Sequence, residues 1–312
     1  MLREIVLFFI YMKDIIGHSK ILSFFDKVIK NENLSHAYCF VGSESVGKRA
    51  VAEYIAGRLL GVEKSELNKN ADFISIEQII NEKTGKLRKD ISIEQIRELI
   101  TRLYSRAFVK DGYKIAIIDQ AELMSRGASN ALLKTLEEPK EKTILFLTTI
   151  DESKLLPTIQ SRCQMIYFSP VPTELIKIFL ESKDIDSALA RDLALQAHGM
   201  PGMAISWYTD KELYETYKKE IERFRSLQGK NFYEKLQAVE ELFGDKTDHI
   251  MARENLQKIL DIWQLQLHEQ IVDGKLKNSL VAINEDIKKA KDLLSQNVHP
   301  RLLVEHILLQ IP

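Results

Sequence analysis

The stretch CFVGSESVGKRAVAEYIAGRLL, residues 39–60, decides how the first half of the chain is read. An apolar run ends at Gly42, a glycine-containing loop follows, and a segment with helical apolar spacing comes next. Gly42, Gly47 and Lys48 fall on the phosphate-binding pattern G-x-x-x-x-G-K-[S/T], in which loop N–H groups and a helix N-terminus favour a phosphate. The last position departs from it. Arg49 stands where the pattern has a hydroxyl that holds Mg²⁺, and a guanidinium cannot ligate a cation. Taken alone, the loop leaves phosphate binding and a plain glycine turn both open.

Outward from the loop, strand-length apolar runs recur at 37–41 (AYCFV), 72–76 (DFISI), 114–119 (KIAIID), 143–149 (TILFLTT) and 164–168 (QMIYF). Helix-period segments lie between them at 50–60, 93–105, 129–138 and 155–161. The alternation predicts a parallel sheet with helices on both faces. Asp90 or Ser92 is expected to cap the 93–105 helix, and Pro139 to close the 129–138 helix. Asp119 ends an apolar strand, a placement suited to a metal ligand. A Glu following it would polarise an attacking water, but the residue is Gln120, and an amide cannot take the proton. Glu122 is read as a surface helix residue. With both Arg49 and Gln120 altered, hydrolysis is not expected.

SPVP (169–172) marks a domain boundary. A helical segment over 173–198 is expected to end at GMPG (199–202), and from about Trp207 the chain reads as amphipathic helices. Gly229, Gly244, Gly274 and Pro300 are placed between them. The expected organisation is an α/β module over 12–168, a small helical block over 169–208 and an all-α domain over 209–312. Lys+Arg number 44 against 45 Asp+Glu, so any contact with a polyanion needs a local basic patch. Cys39 and Cys163, the only two cysteines, cannot build a four-cysteine zinc site and are read as buried thiols. The run IVLFFIY (5–11) is too short to span a bilayer and lacks a cleavage site. Met12 is the expected native start, with 1–11 an upstream extension.

LSHAYCFVGSESVGKRAVA (34–52), IIDQAELMSRGASNALLKTLEEPKEKTILFLTT (117–149) and LLPTIQSRCQMIYF (155–168) resemble the clamp-loader subunits of bacterial DNA polymerase III, a family of AAA+ proteins. The resemblance runs through 14–168 and continues more weakly in HGMPGMAI (198–205) and NVHPRLLVEHILL (297–309). It implies an AAA+ P-loop module, a helical lid and a C-terminal helical collar domain. Motor subunits of the family (tau/gamma) have an intact loop, an Asp-Glu pair and a four-cysteine zinc module, yet GVEKSELNKNADFISI (61–76) holds no cysteine. Many non-motor subunits carry that module as well, so its absence departs from both patterns. The altered loop and acidic pair, Arg49 and Gln120, imply a non-hydrolysing subunit, with an ATP-hydrolysing motor as the alternative. Gly42, Gly47, Lys48 and Asp119 would be a vestigial phosphate and metal site, with no zinc and no cofactor required. Arg162 in SRC (161–163) matches the family's arginine that enters a neighbouring subunit's ATP site.

Thr148 and Thr149 match a strand end where the family senses the γ-phosphate, although strand-end hydrogen bonding explains them as well. Lys134 is read as a solvated helix residue and His36 as structural, and GMPG lacks a second sensing arginine. The implied partners are the motor and delta subunits, with the sliding clamp and primer–template DNA met through the complex. No membrane contact is implied, and the implied location is cytoplasmic.

Overall fold

The computed structural model describes residues 15–80, 87–109, 112–140, 142–243, 249–272, 277–295 and 298–311. The expectations for residues 1–11 and Met12, and for Gly244 and Gly274, fall outside these. The chain gathers into two compact units, one ending at Ile205 and the other starting at Ser206.

In the first unit, five strands form one parallel sheet: β1 (Ala37–Val41), β2 (Phe73–Ile76), β3 (Lys114–Ile118), β4 (Thr143–Thr149) and β5 (Gln164–Tyr167). Their order is β2-β3-β4-β1-β5, which places β1 between β4 and β5. Every residue of β1, β3 and β4 is buried. Continuous burial is what a parallel strand covered on both faces requires.

Side chains alternate between those faces. Ala37, Cys39 and Val41 join one apolar cluster, with Ile96, Leu99 and Leu132. Tyr38 and Phe40 join the other, with Phe25, Val51 and Ile55. Around Phe25 the rings of Tyr38, Phe40 and Phe146 lie with centroids 4.9, 5.8 and 6.1 Å away. The first cluster is covered by α3 (Ile93–Tyr104) and α4 (Arg126–Glu137), the second by α1 (Ser19–Lys30) and α2 (Lys48–Leu60).

Ser92, one of the two residues expected to cap α3, does so in a reciprocal box. Its Oγ accepts from Gln95 N–H, and Gln95 Oε1 accepts from Ser92 N–H at 3.0 Å. Helix α4 begins a turn earlier than the apolar spacing indicates, because Ser125 Oγ caps it by accepting from Ala128 N–H. It ends at Glu137, as Pro139 requires of the residue before it.

The 155–161 helix is reduced to α5 (Pro157–Gln160), preceded by a 3₁₀ turn at Glu152–Lys154. Pro157 takes the first helical position, where its missing N–H costs nothing. The 173–198 segment is two helices, α6 (Thr173–Glu181) and α7 (Ser187–Gln196). Asp186 caps the second by accepting from the N–H groups of Ala188 and Leu189. GMPG does not simply end a helix, since Pro201 opens α8 (Pro201–Thr209). The helical run therefore resumes before Trp207.

The second unit contains α9 (Lys211–Leu227), α10 (Phe232–Val239), α11 (His249–Val272), α12 (Lys277–Ser295) and α13 (Pro300–Gln310). Pro300 is the first residue of α13 rather than part of a linker. Leu256, Leu260, Trp263 and Leu267 of α11 meet Leu280, Ile283, Ile287 and Leu294 of α12 in one core. Spacings of three and four residues put each set on one stripe of its helix.

Candidate functional site

The loop after β1, the ends of β3 and β4, and the first turn of α2 enclose a cleft of about 250 Å³. Its lining includes Gly47, Lys48, Arg49, Asp119, Gln120 and Thr148. It lies at the carboxyl ends of the strands, beside β1, where the strand order turns back on itself. Open α/β sheets bind ligands at that place.

Gly42 and Gly47 are glycines for separate reasons. A Cβ on Gly42 would lie 2.7 Å from the Phe168 carbonyl oxygen. Gly47 caps α2 with φ +110°, where a side chain would be strained. Gly42→Ala is accordingly expected to lower stability by about 1–3 kcal/mol, because the contact is with backbone that cannot rotate away. Urea unfolding would test this, and an unchanged midpoint would show that the end of β5 yields freely.

The buried Lys48 turns back onto its own loop, its Nζ donating to the carbonyls of Gly42 at 2.6 Å and Ser43 at 2.8 Å. Burial lowers its pKa from the usual lysine value, against the opposing pull of Glu122, Asp119 and Glu44.

Arg49 is the hub of the cleft. Its Nε donates to Glu53 Oε1 at 2.9 Å, one turn along α2. Its Nη1 donates to Asp119 Oδ2 at 3.2 Å and to Glu77 Oε2. Burial works against the guanidinium's charge, but hydrogen bonds to Glu77 and Glu53 and the charge of Asp119 outweigh it and raise the pKa. The other Asp119 oxygen, Oδ1, accepts from Thr148 Oγ at 2.5 Å, and that hydroxyl accepts from Gln120 N–H at 3.0 Å. Thr149 bonds within its strand end, its Oγ donating to Asp151 O at 3.0 Å.

A divalent cation does not fit this donor set. The aspartate that would ligate it shares one oxygen with a fixed guanidinium and the other with a hydroxyl donor. Arg49 supplies neither a hydroxyl nor a lone pair. Gln120 sits in the left-handed region at φ 50°, its Nε2 3.4 Å from Glu44 Oε1.

Gly42, Gly47, Lys48 and Asp119 are thus gathered at one place, while Arg162 is not among the residues lining the cleft. It follows α5, its Nη2 donating to Glu137 Oε1 at 2.7 Å. Lys134 is exposed. The carbonyl of His36 accepts from Leu145 N–H at 2.8 Å, within the sheet.

Glu122 corrects the sequence reading. It lies on a 3₁₀ turn, lines the cleft, and its Oε1 accepts from Ile150 N–H at 3.2 Å. His18 was also missed. At φ 56° its ring lies tilted against that of Phe168, centroids 4.7 Å apart, and its Nε2 bonds to Val46 O at 2.8 Å. Burial lowers its pKa, with the Val46 hydrogen bond opposing. Both cysteines are buried free thiols, their pKa pushed up to about 12 by desolvation.

Residues 17–172, half of the chain, match the family described as "DNA polymerase III, delta subunit". The chain belongs to that clamp-loader family. Its parallel sheet between two helical layers is the α/β module expected from the sequence. The chain is similar to the DNA polymerase III subunit delta' of Bacillus subtilis, 28% identical over 91% of this chain and 92% of that one. It is also similar to the gamma subunit of Buchnera aphidicola, 30% identical over 61% of this chain and 55% of the other. A gamma subunit-related protein from Thermotoga maritima superposes with a TM-score of 0.49 at 17% identity, over 91% of this chain and 97% of that one. Among the described residues no helix is long and apolar enough to cross a membrane.

Proposed function

We propose that the chain is the non-hydrolysing delta-prime subunit of a DNA polymerase III clamp loader. Arg49 carries this reading: its guanidinium is ion-paired to Asp119, where a motor subunit needs a hydroxyl and a metal ion. Gln120 adds a second lesion, since it cannot act as a base. The delta' relative that spans nearly the whole chain supports the same assignment.

In this reading residues 12–168 form the AAA+ module, 169–208 the lid and 209–312 the collar domain. The subunit needs no nucleotide of its own and no zinc. It works in the cytoplasm as a partner of the motor and delta subunits, helping to place the sliding clamp on primed DNA. Its chemical contribution is Arg162, which acts in trans on ATP held by a neighbouring motor subunit. A planar guanidinium spreads its donors over the γ-phosphate oxygens as negative charge shifts in the transition state.

The gamma-subunit relative favours the second reading, an ATP-hydrolysing motor. Turnover by the isolated chain separates the two. With Mg²⁺ present, the purified protein is expected to hydrolyse ATP no faster than background. Turnover that Lys48→Ala abolishes would replace the delta-prime assignment with the motor one.

A further inference from the structure

The surroundings of Arg162 are as specific as those of Arg49. Its Nη1 donates to Thr158 O at 2.9 Å and to Ser161 Oγ at 3.1 Å, both close in sequence. Among the described residues only Glu137, the last residue of α4, reaches it from another element, through the 2.7 Å bond to Nη2. A guanidinium carries five N–H donors, and these contacts engage three. The Nε–H and one Nη2–H have no acceptor among the described residues.

Nothing in the helix itself calls for a carboxylate at position 137. Its side chain is half exposed and takes no part in the core. In the last turn of a helix a negative charge opposes the macrodipole. Glu138 follows at the cap and adds a like charge beside it. Among the described residues, the one interaction that accounts for Glu137 is the bond to Arg162. The two Nη1 bonds tether the guanidinium to its own turn, and the bond to α4 adds a second, non-local point that sets its direction. A long side chain held at two points gives up less rotational freedom when it meets a phosphate.

We propose that Glu137 is a positioning residue for Arg162, holding the guanidinium on α4 with two donors left for an acceptor outside the chain. The proposal rests on the trans-acting reading of Arg162 given above.

The test is clamp- and DNA-stimulated ATP turnover by loader reconstituted with motor and delta subunits. Glu137→Ala, Glu137→Gln, Arg162→Ala and the Glu137→Ala/Arg162→Ala pair are compared at matched ring assembly. Glu137→Ala is expected to slow the one site that Arg162 serves by about two- to fivefold, the size of effect an exposed ion pair supports. Loader kcat therefore falls by less than with Arg162→Ala, while KM for ATP is unchanged. Glu137→Gln is expected to keep most of the activity, because its amide oxygen accepts the same bond. In the Arg162→Ala background, Glu137→Ala is expected to change nothing further, the mark of two residues acting as one.

Four outcomes would overturn the proposal. Wild-type turnover with Glu137→Ala, while Arg162→Ala is slow, removes the positioning role and leaves the trans arginine standing. Faster turnover with Glu137→Ala makes the carboxylate a competitor. Losses that add in the double variant make it merely structural. Wild-type turnover with Arg162→Ala removes the trans-acting reading itself, and the proposal with it.

Discussion

Arg162→Ala is expected to slow ATP turnover by the assembled loader while leaving folding and ring assembly nearly intact. The side chain is a third exposed and, among the described residues, bonds only to Thr158, Ser161 and Glu137, so its removal opens no cavity in either core cluster. In the trans role proposed for it, a guanidinium at one ATP site is worth about 10³–10⁵ in rate in the strongest cases. Other sites in the ring continue, so whole-loader turnover falls in part rather than to zero. Arg162→Lys is expected to rescue poorly, because an ammonium lacks the planar fork. Wild-type turnover and wild-type clamp loading with Arg162→Ala would reduce the arginine to a structural role.

Arg49→Ala is expected to cost the first unit about 1–3 kcal/mol, between the near-zero value of an exposed pair and the larger loss when a buried pair is broken. Partial exposure of the guanidinium keeps the cost below the buried limit. The losses fall unevenly. Glu53 keeps Lys64 at 3.0 Å, and Asp119 keeps the Thr148 hydroxyl. Glu77 loses an ion pair, and Asp119 loses its guanidinium partner in a cleft also lined by Glu44 and Glu122.

Both tryptophans, Trp207 and Trp263, lie in the second unit, so hydrogen exchange in β1 and β3 against urea is the measurement that follows the first. Arg58→Ala is the control, because the Arg58–Asp26 pair lies on the surface and its loss is expected to cost under about 0.5 kcal/mol. Equal shifts for Arg49→Ala and Arg58→Ala would show that Arg49 is no more than a surface charge. Arg49→Ala is not expected to restore hydrolysis, since Gln120 remains.

Much of the first unit was legible in the sequence because strands buried on both faces need unbroken apolar runs. Those runs at β1, β3 and β4 stand out whatever their neighbours are. Gly42 and Gly47 were legible too, since each takes a conformation or a close approach that a side chain would not allow, whereas the effect of Pro157 on the 155–161 helix was missed. Caps were less visible. Ser125 and Asp186 act through one or two hydrogen bonds that leave no periodic trace, so α4 was begun too late and the break between α6 and α7 was missed. Glu122 was misplaced because Gln120 turns into the left-handed region and carries the chain back over the cleft. A pattern drawn from side-chain polarity does not register that change of direction.

Alone, the sequence determined the alternation of strands and helices through the sheet, the glycine positions of the 42–48 loop, and the presence of a guanidinium at 49 where the pattern has a hydroxyl. Each of these depends on residues within a few positions of one another. Only the tertiary structure decided what the substitution does. Arg49 meets Glu77 and Asp119 across separations of 28 and 70 residues, and Arg162 meets Glu137 across 25. Charged side chains on different elements carry no shared period, so nothing in the linear pattern pairs them. The sheet order sets β3 two strands from β1 and brings their carboxyl ends to one cleft, and that placement makes the arginine the partner of the aspartate.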